Sequence, residues 1–282
     1  MGVCEYCGEK AGWFQSNHLA CVDKAHRTGD SARALVTSEI LAGKTLGDLQ
    51  TAVEQLLVDS KIKEAFVRDT LQQAVNEGIT QAALRSPLSV DEKARLEAIL
   101  SGYEVHSSPN RQWYGPAFVE MSHILWLVFN DLQFGVDFSP AFNLHADEFP
   151  VFQTGNCVTY AEERTVSNHS RSFSGLSIPV GGGIYYHVGG SQEHQERTTG
   201  LMPLDGGMIL ITSQALYFAG QQRTLRIPLE HVLRYQPYVD AVGVCESHGA
   251  PKVFVFDYRG MNTGWFFYNL LSDLTSKRNS AN

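Results

Sequence analysis

Two Cys/His pairs packed into the first 21 residues constrain the start of this chain more than any other feature of its 282 residues. The first pair is Cys4-x-x-Cys7, followed by Gly8, and the second is His18-x-x-Cys21, with ten residues between the pairs. A segment as short as residues 1–30 cannot bury a core of its own, so something besides apolar packing has to hold it. Paired ligands at this spacing, separated by a loop of this length, fit a structural metal site. Three thiolates and one imidazole make a closed, tetrahedral, borderline-soft donor set. That set suits one zinc ion per chain better than magnesium or calcium, which take hard oxygen ligands. Gly8 frees the turn after the knuckle, and the His18/Cys21 spacing predicts the first turn of a helix running toward His26. His26, five residues beyond Cys21, is the alternative fourth ligand. A redox reading of the CxxC pair fits less well. Redox pairs usually open a helix that follows a strand, and only three residues precede this one.

The remaining cysteines, Cys157 and Cys245, sit in apolar, strand-like surroundings and read as small buried hydrophobes. An odd count of five, with no leader-like start, argues against a disulfide framework and for a cytoplasmic protein. The apolar stretch at 121–129 is too short to span a bilayer and contains His123, so no transmembrane segment is expected. The formal net charge of -8 disfavours a nonspecific phosphate-backbone binder, and no specific nucleic acid is expected as partner.

From residue 31 to 138 the apolar positions recur at helical spacing. Leu35, Ile40 and Leu41 form one run; Leu46, Leu49, Val53, Leu56 and Leu57 another; Ile62, Phe66, Leu71 and Val75 a third. Five or so short helices are expected before residue 102, with turns at Gly43, Gly78 and Pro87. Ser89 or Asp91 caps a helix over residues 92–100 that Gly102 ends. A polar, aromatic linker follows near 103–114, and a further helix is expected from Pro116 to about Leu132. Its stripe of Phe118, Met121, Leu125, Trp126, Val128 and Phe129 reads as a packing seam.

After residue 138 the period shortens. Phe149-Pro-Val-Phe, a Gly155-Asn turn and Cys157-Val-Thr-Tyr-Ala read as strand, turn, strand. Further strands are expected at 184–188, 207–212, 215–218, 224–227, 242–245 and 252–256, with Gly181-Gly-Gly and Gly189-Gly as hairpin turns. A helix carrying Trp265, Phe266, Tyr268, Leu270, Leu271 and Leu274 closes the chain. Short antiparallel strands of this kind form a strongly bent sheet with one open end, which the helix covers. The fold class is therefore α+β and multidomain, with a metal module at 1–30, a helical domain at 31–138 and a β domain at 139–282.

Three resemblances are carried by these residues. The Cys4/Cys7 and His18/Cys21 pairs resemble treble-clef or ribbon zinc fingers. The phrase Ser86-Pro-Leu-Ser-Val-Asp-Glu-Lys-Ala-Arg-Leu-Glu-Ala-Ile-Leu resembles repeats of helical domains associated with tellurite resistance. The phrase Gly207-Met-Ile-Leu-Ile-Thr-Ser-Gln-Ala-Leu-Tyr-Phe-Ala-Gly220, followed by Arg226-Ile-Pro-Leu-Glu-His-Val-Leu-Arg, resembles bacterial pleckstrin-homology/GRAM-like domains. That last resemblance implies a bent antiparallel β-barrel capped by a C-terminal helix. It also implies a lead-in strand at 142–148, a glycine turn at Gly220, and a short helical stretch after Ile-Pro-Leu. The family includes phosphoinositide binders, peptide binders and modules that only join domains.

Three functions follow as expectations. The first is a non-catalytic adaptor or scaffold that binds a protein partner, including a second copy of itself, in a bacterial stress or phage-defence system. The second is a metal-dependent or acid-base hydrolase using a polar cluster around His145 and His187, with Asp147 and Glu193. The third is an anionic-membrane-surface module, for which Arg164, Arg171 and Arg197 are the available cluster. The β domain has lysines only at Lys252 and Lys277, so peripheral lipid contact is disfavoured. No Walker loop, dinucleotide glycine signature, HExxH or nucleophile elbow occurs.

Overall fold

The computed structural model describes residues 2–6, 8–11, 17–106, 113–132, 136–167, 197–257 and 263–281. The expected strand at 184–188 and the glycine turns at 181–183 and 189–190 lie outside the described residues. The chain divides into two compact units, Met1–Leu127 and Val128–Asn282.

The first unit is built on α1 (Leu19–Leu41), α2 (Leu46–Ser60), α3 (Arg68–Arg85) and α4 (Val90–Gly102), with a 3₁₀ turn at Glu64–Phe66 before α3. Ala25, Ala32, Val36 and Ile40 recur at helical spacing along α1 and are buried with Leu49, Val53, Leu71, Val75, Ile79, Leu96 and Ile99. Thr45 and Ser89 open α2 and α4 with full capping boxes, their partners being Asp48 and Glu92. Gly43 turns the chain after α1 in the left-handed region, at φ 82°. Gly78 does not turn it: it lies inside α3. A Cβ there would stand 3.1 Å from Ile40 Cδ1 and 3.3 Å from Thr37 Cα, so the missing side chain serves the close approach of α1 and α3. The expected short helices before residue 102 are thus four α-helices, and α1 alone runs 23 residues.

The next helix, α5 (Gly115–Phe129), takes the place expected for it. Asn76 on α3 accepts the Gly115 N–H at 2.8 Å and so caps its start from outside. Over its first three turns only Glu120 is exposed, which is how a helix apolar on all sides has to sit. His123 is a satisfied core histidine, its Nδ1 2.9 Å from the Leu88 carbonyl oxygen.

The second unit is a curled antiparallel sheet, a half-barrel, topped by a C-terminal helix. Its strands are β1 (Pro150–Gln153), β2 (Val158–Ser167), β3 (Arg197–Thr212), β4 (Ala215–Gly220), β5 (Thr224–Pro228), β6 (Val232–Pro237), β7 (Ala241–Glu246) and β8 (Lys252–Phe256). The order is β5-β4-β3-β2-β8-β7-β6, with β1 also on β3. A 3₁₀ turn at Leu229–His231 follows the Ile-Pro-Leu phrase, and β6 is a strand the periodicity did not announce.

Gly155-Asn156 separates β1 from β2, as expected, without reversing the chain. β1 and β2 both run antiparallel to β3 along the same edge, β1 opposite residues 210–212 and β2 opposite residues 197–207. They are one strand interrupted at 154–157. Thr154 bridges the break: its N–H donates to the Ile209 carbonyl at 2.9 Å, and its Oγ1 accepts the Ile209 N–H at 2.8 Å. The expected lead-in strand at 142–148 is instead an irregular segment ending in a turn, where the Glu148 N–H reaches the His145 carbonyl.

The inner face of the sheet gathers Tyr160, Phe218 and Phe254, ring centroids 5.6 to 5.9 Å apart. The closing helix, α6 (Gly264–Ala281), contributes Phe266, Phe267, Leu270, Leu271 and Leu274. Phe267 stacks on Phe256 and meets Phe152 edge-on. Thr212 ends β3 because its buried Oγ1 accepts the Gln214 and Ala215 N–H groups and closes the turn into β4. Cys157 and Cys245 are half-buried rather than buried, Cys157 just ahead of β2 and Cys245 within β7, one residue from its end.

Candidate metal centre

The first residues form a small hairpin. Val3 pairs with Lys10, Cys4 N–H donates to the Glu9 carbonyl at 2.7 Å, and Gly8 N–H donates to the Cys4 carbonyl at 2.8 Å. Gly8 sits at φ 79°, the left-handed conformation that this turn requires. The chain returns through Asn17 and His18 into α1. His18 is the extended N-cap residue, and its carbonyl accepts the N–H groups of Cys21 and Val22. Cys21 therefore stands in the first turn of α1.

This places Cys4, His18 and Cys21 together, with one ligand atom from each lying within 4.8 Å of the others. Cys4 is fully buried, while His18 and Cys21 are half-buried. His18 Nδ1 is 3.6 Å from Cys21 Sγ, and His18 Nε2 is 3.2 Å from the Lys10 carbonyl oxygen. Asn17 Oδ1 accepts the Glu5 N–H at 3.0 Å and ties the knuckle to the start of α1. Tyr6 stacks on Phe66 of the 3₁₀ turn with centroids 4.4 Å apart, so the hairpin is docked on the helices. Cys7 lies outside the described residues. His26 is exposed on α1, and the three-residue cluster does not include it.

The residues expected for a hydrolytic cluster are only in part among the described ones. His145 and Asp147 are exposed, and His187 and Glu193 lie outside the described residues. Arg164 and Arg197 stand on β2 and β3, opposite Gly200 and Ser167, and Arg171 lies outside the described residues.

A different carboxylate is the buried one. Residues 139–149 cross the outer face of β3 and β4, where Phe142 and Leu144 pack on Leu210, Ala215, Tyr217 and Met208. At the end of this strap Glu148 is buried, accepting from the Tyr217 hydroxyl and pairing with the Arg226 guanidinium. Arg226 Nε also donates to Tyr217 Oη at 2.9 Å. Sequence reasoning missed this triad. Its one signal is an arginine, Arg226, inside the otherwise apolar phrase Leu-Arg-Ile-Pro.

Burial alone would raise the Glu148 carboxyl, but hydrogen bonds from Tyr217 and Arg226 and the guanidinium charge outweigh it and hold the group below the usual carboxylate range. The stability this contributes is fully present above the unfolded carboxyl's ordinary value of about 4.3. It is lost as the pH falls from there through the lower native value. Glu148→Gln should cost the β domain about 2 kcal/mol at neutral pH and flatten its acid-unfolding curve. Urea titrations at a series of pH values check both; an unchanged acid slope would remove Glu148 from the account.

No family model matches this chain, and no curated protein matches it in sequence. No helix among the described residues is long and apolar enough to cross a membrane.

Proposed function

We propose that the chain is a non-catalytic adaptor, in which a zinc-stabilised knuckle on a helical bundle is joined to a recognition module of the pleckstrin-homology/GRAM type. The observation that carries the reading is the strand order. Strands β2 to β8 form one curled antiparallel sheet in which the last in sequence pairs with the first, β5 and β6 are the two edges, and α6 covers it. That is the form the resemblance implies, and its common work is recognition. The donor chemistry of Cys4, His18 and Cys21 supports zinc, with Cys7 as the fourth ligand. Such a centre holds a fold together rather than presenting a Lewis acid. The acidic balance and the scarcity of lysine favour a protein partner over an anionic membrane or nucleic acid. A bacterial, cytoplasmic stress or phage-defence setting belongs to the same reading through the resemblance.

The test is affinity capture from the native host with the full chain and with a Cys21→Ser variant, alongside flotation with anionic liposomes. At least one stoichiometric partner should be captured by the full chain and lost with the variant. Capture of no partner, together with tight liposome binding, would replace the adaptor with a membrane-surface module.

A further inference from the structure

The imidazole of His18 has its two nitrogens in different surroundings. Nε2 is 3.2 Å from the Lys10 carbonyl oxygen. A carbonyl oxygen only accepts, so that contact is a hydrogen bond only if Nε2 carries the proton. In the neutral ring Nδ1 is then the unprotonated nitrogen, with its lone pair available to a metal. Nδ1 is also the nitrogen near the sulfur, 3.6 Å from Cys21 Sγ. A tetrahedral ion with bonds of about 2.05 Å to nitrogen and about 2.3 Å to sulfur separates the two donors by about 3.6 Å. The pair thus already stands at the spacing of two ligands on one ion.

We propose that His18 binds the metal through Nδ1 while the Lys10 carbonyl holds its Nε2–H, making the return strand of the knuckle the positioning group of the centre. This rests on the metal reading above. It deepens it by making metal occupancy a control on the hairpin: with the ion on Nδ1, the ring is fixed and Lys10 is fixed to it. Metal-bound histidines commonly have their second nitrogen oriented in this way, and the outer partner sets both tautomer and ring angle. His26 has no part in the arrangement.

The experiment uses the full chain labelled with ¹⁵N-histidine and loaded with ¹¹³Cd(II), a spin-active stand-in for zinc. A His18→Ala variant assigns the resonances. The expected result is one cadmium per chain, ¹¹³Cd–¹⁵N coupling at Nδ1 of His18, and a slowly exchanging proton on its Nε2. Coupling at Nε2 of His18, coupling at His26, or bound cadmium with no histidine coupling would each overturn the proposal while leaving a metal centre in place. Failure of the full chain to take up cadmium or zinc would overturn the metal reading, and this proposal with it.

Discussion

Cys4→Ser should strip the chain of zinc and release the first eleven residues, while leaving the β domain as stable as before. Cys4 is fully buried in the hairpin, and its sulfur is one of the three clustered donors. Serine offers a shorter, harder oxygen that is not deprotonated at neutral pH, so the site loses a thiolate and the charge that goes with it. Metal affinity in small structural sites amounts to about 10–16 kcal/mol of apparent folding free energy at neutral pH. Among the described residues the hairpin has modest contacts to set against such a loss: the Val3–Lys10 bridge, a few backbone hydrogen bonds, the Glu5 N–H to Asn17 Oδ1 bond, the His18–Lys10 contact and the Tyr6–Phe66 stack. Elemental analysis should fall from about one zinc per chain to near zero. Hydrogen-exchange protection of residues 2–11 should vanish in parallel. Protection of residues 197–257 should persist, because they belong to the other compact unit. His18→Ala should behave like Cys4→Ser and His26→Ala like the unaltered chain. Retention of zinc by the Cys4 variant, or metal loss on replacing His26, would break the assignment.

What the sequence disclosed depended on the range of the interaction that fixes each feature. Cys4, His18 and Cys21 were legible because their geometry is set within 18 residues, by a knuckle turn at Gly8 and the first turn of α1. The capping box at Ser89 and the Gly43 turn are equally local. Gly78 misled because a glycine signals either a turn or a close approach. The helix it approaches, through Thr37 and Ile40, lies about forty residues earlier. Gly155-Asn156 marked the break between β1 and β2, but not that the chain runs on in the same direction after it. It has the composition of a hairpin turn, but both flanking strands are claimed by β3, whose partner residues begin at Arg197. The Glu148–Tyr217–Arg226 triad joins positions 69 and 78 residues apart, and neither residue pattern points to the other. Whether His18 or His26 completes the site was open in the sequence; the structure brings His18 together with Cys4 and Cys21 and leaves His26 exposed on α1.

Gly207→Ala and Gly264→Ala should each destabilise the β domain by about 3 kcal/mol or more, while Gly206→Ala should change its stability by no more than about 0.5 kcal/mol. The three positions carry the same chemical change and differ in what the added methyl meets. At Gly207, where β3 passes between β2 and β4, a Cβ would overlap the Ala219 carbonyl oxygen and lie 2.6 Å from Gly220 Cα. At Gly264, the first residue of α6, it would overlap the Tyr238 carbonyl oxygen and lie 2.8 Å from that of Ala241. Both obstacles are main chain held in hydrogen-bonded structure, so they cannot swing aside as a side chain would. Relief requires moving β4 off β3 in one case, and α6 off the β6–β7 turn in the other. At Gly206 nothing lies within 4 Å of the added carbon. Urea unfolding followed by tryptophan and tyrosine fluorescence compares the three directly. Because α6 supplies the aromatic cover of the half-barrel, the Gly264 variant should also expose Phe266 and Phe267 and bind a hydrophobic dye before it unfolds. Equal midpoints for Gly206→Ala and Gly207→Ala would mean that β3 and β4 do not approach as closely as the sheet requires, and the register of the half-barrel would have to be redrawn.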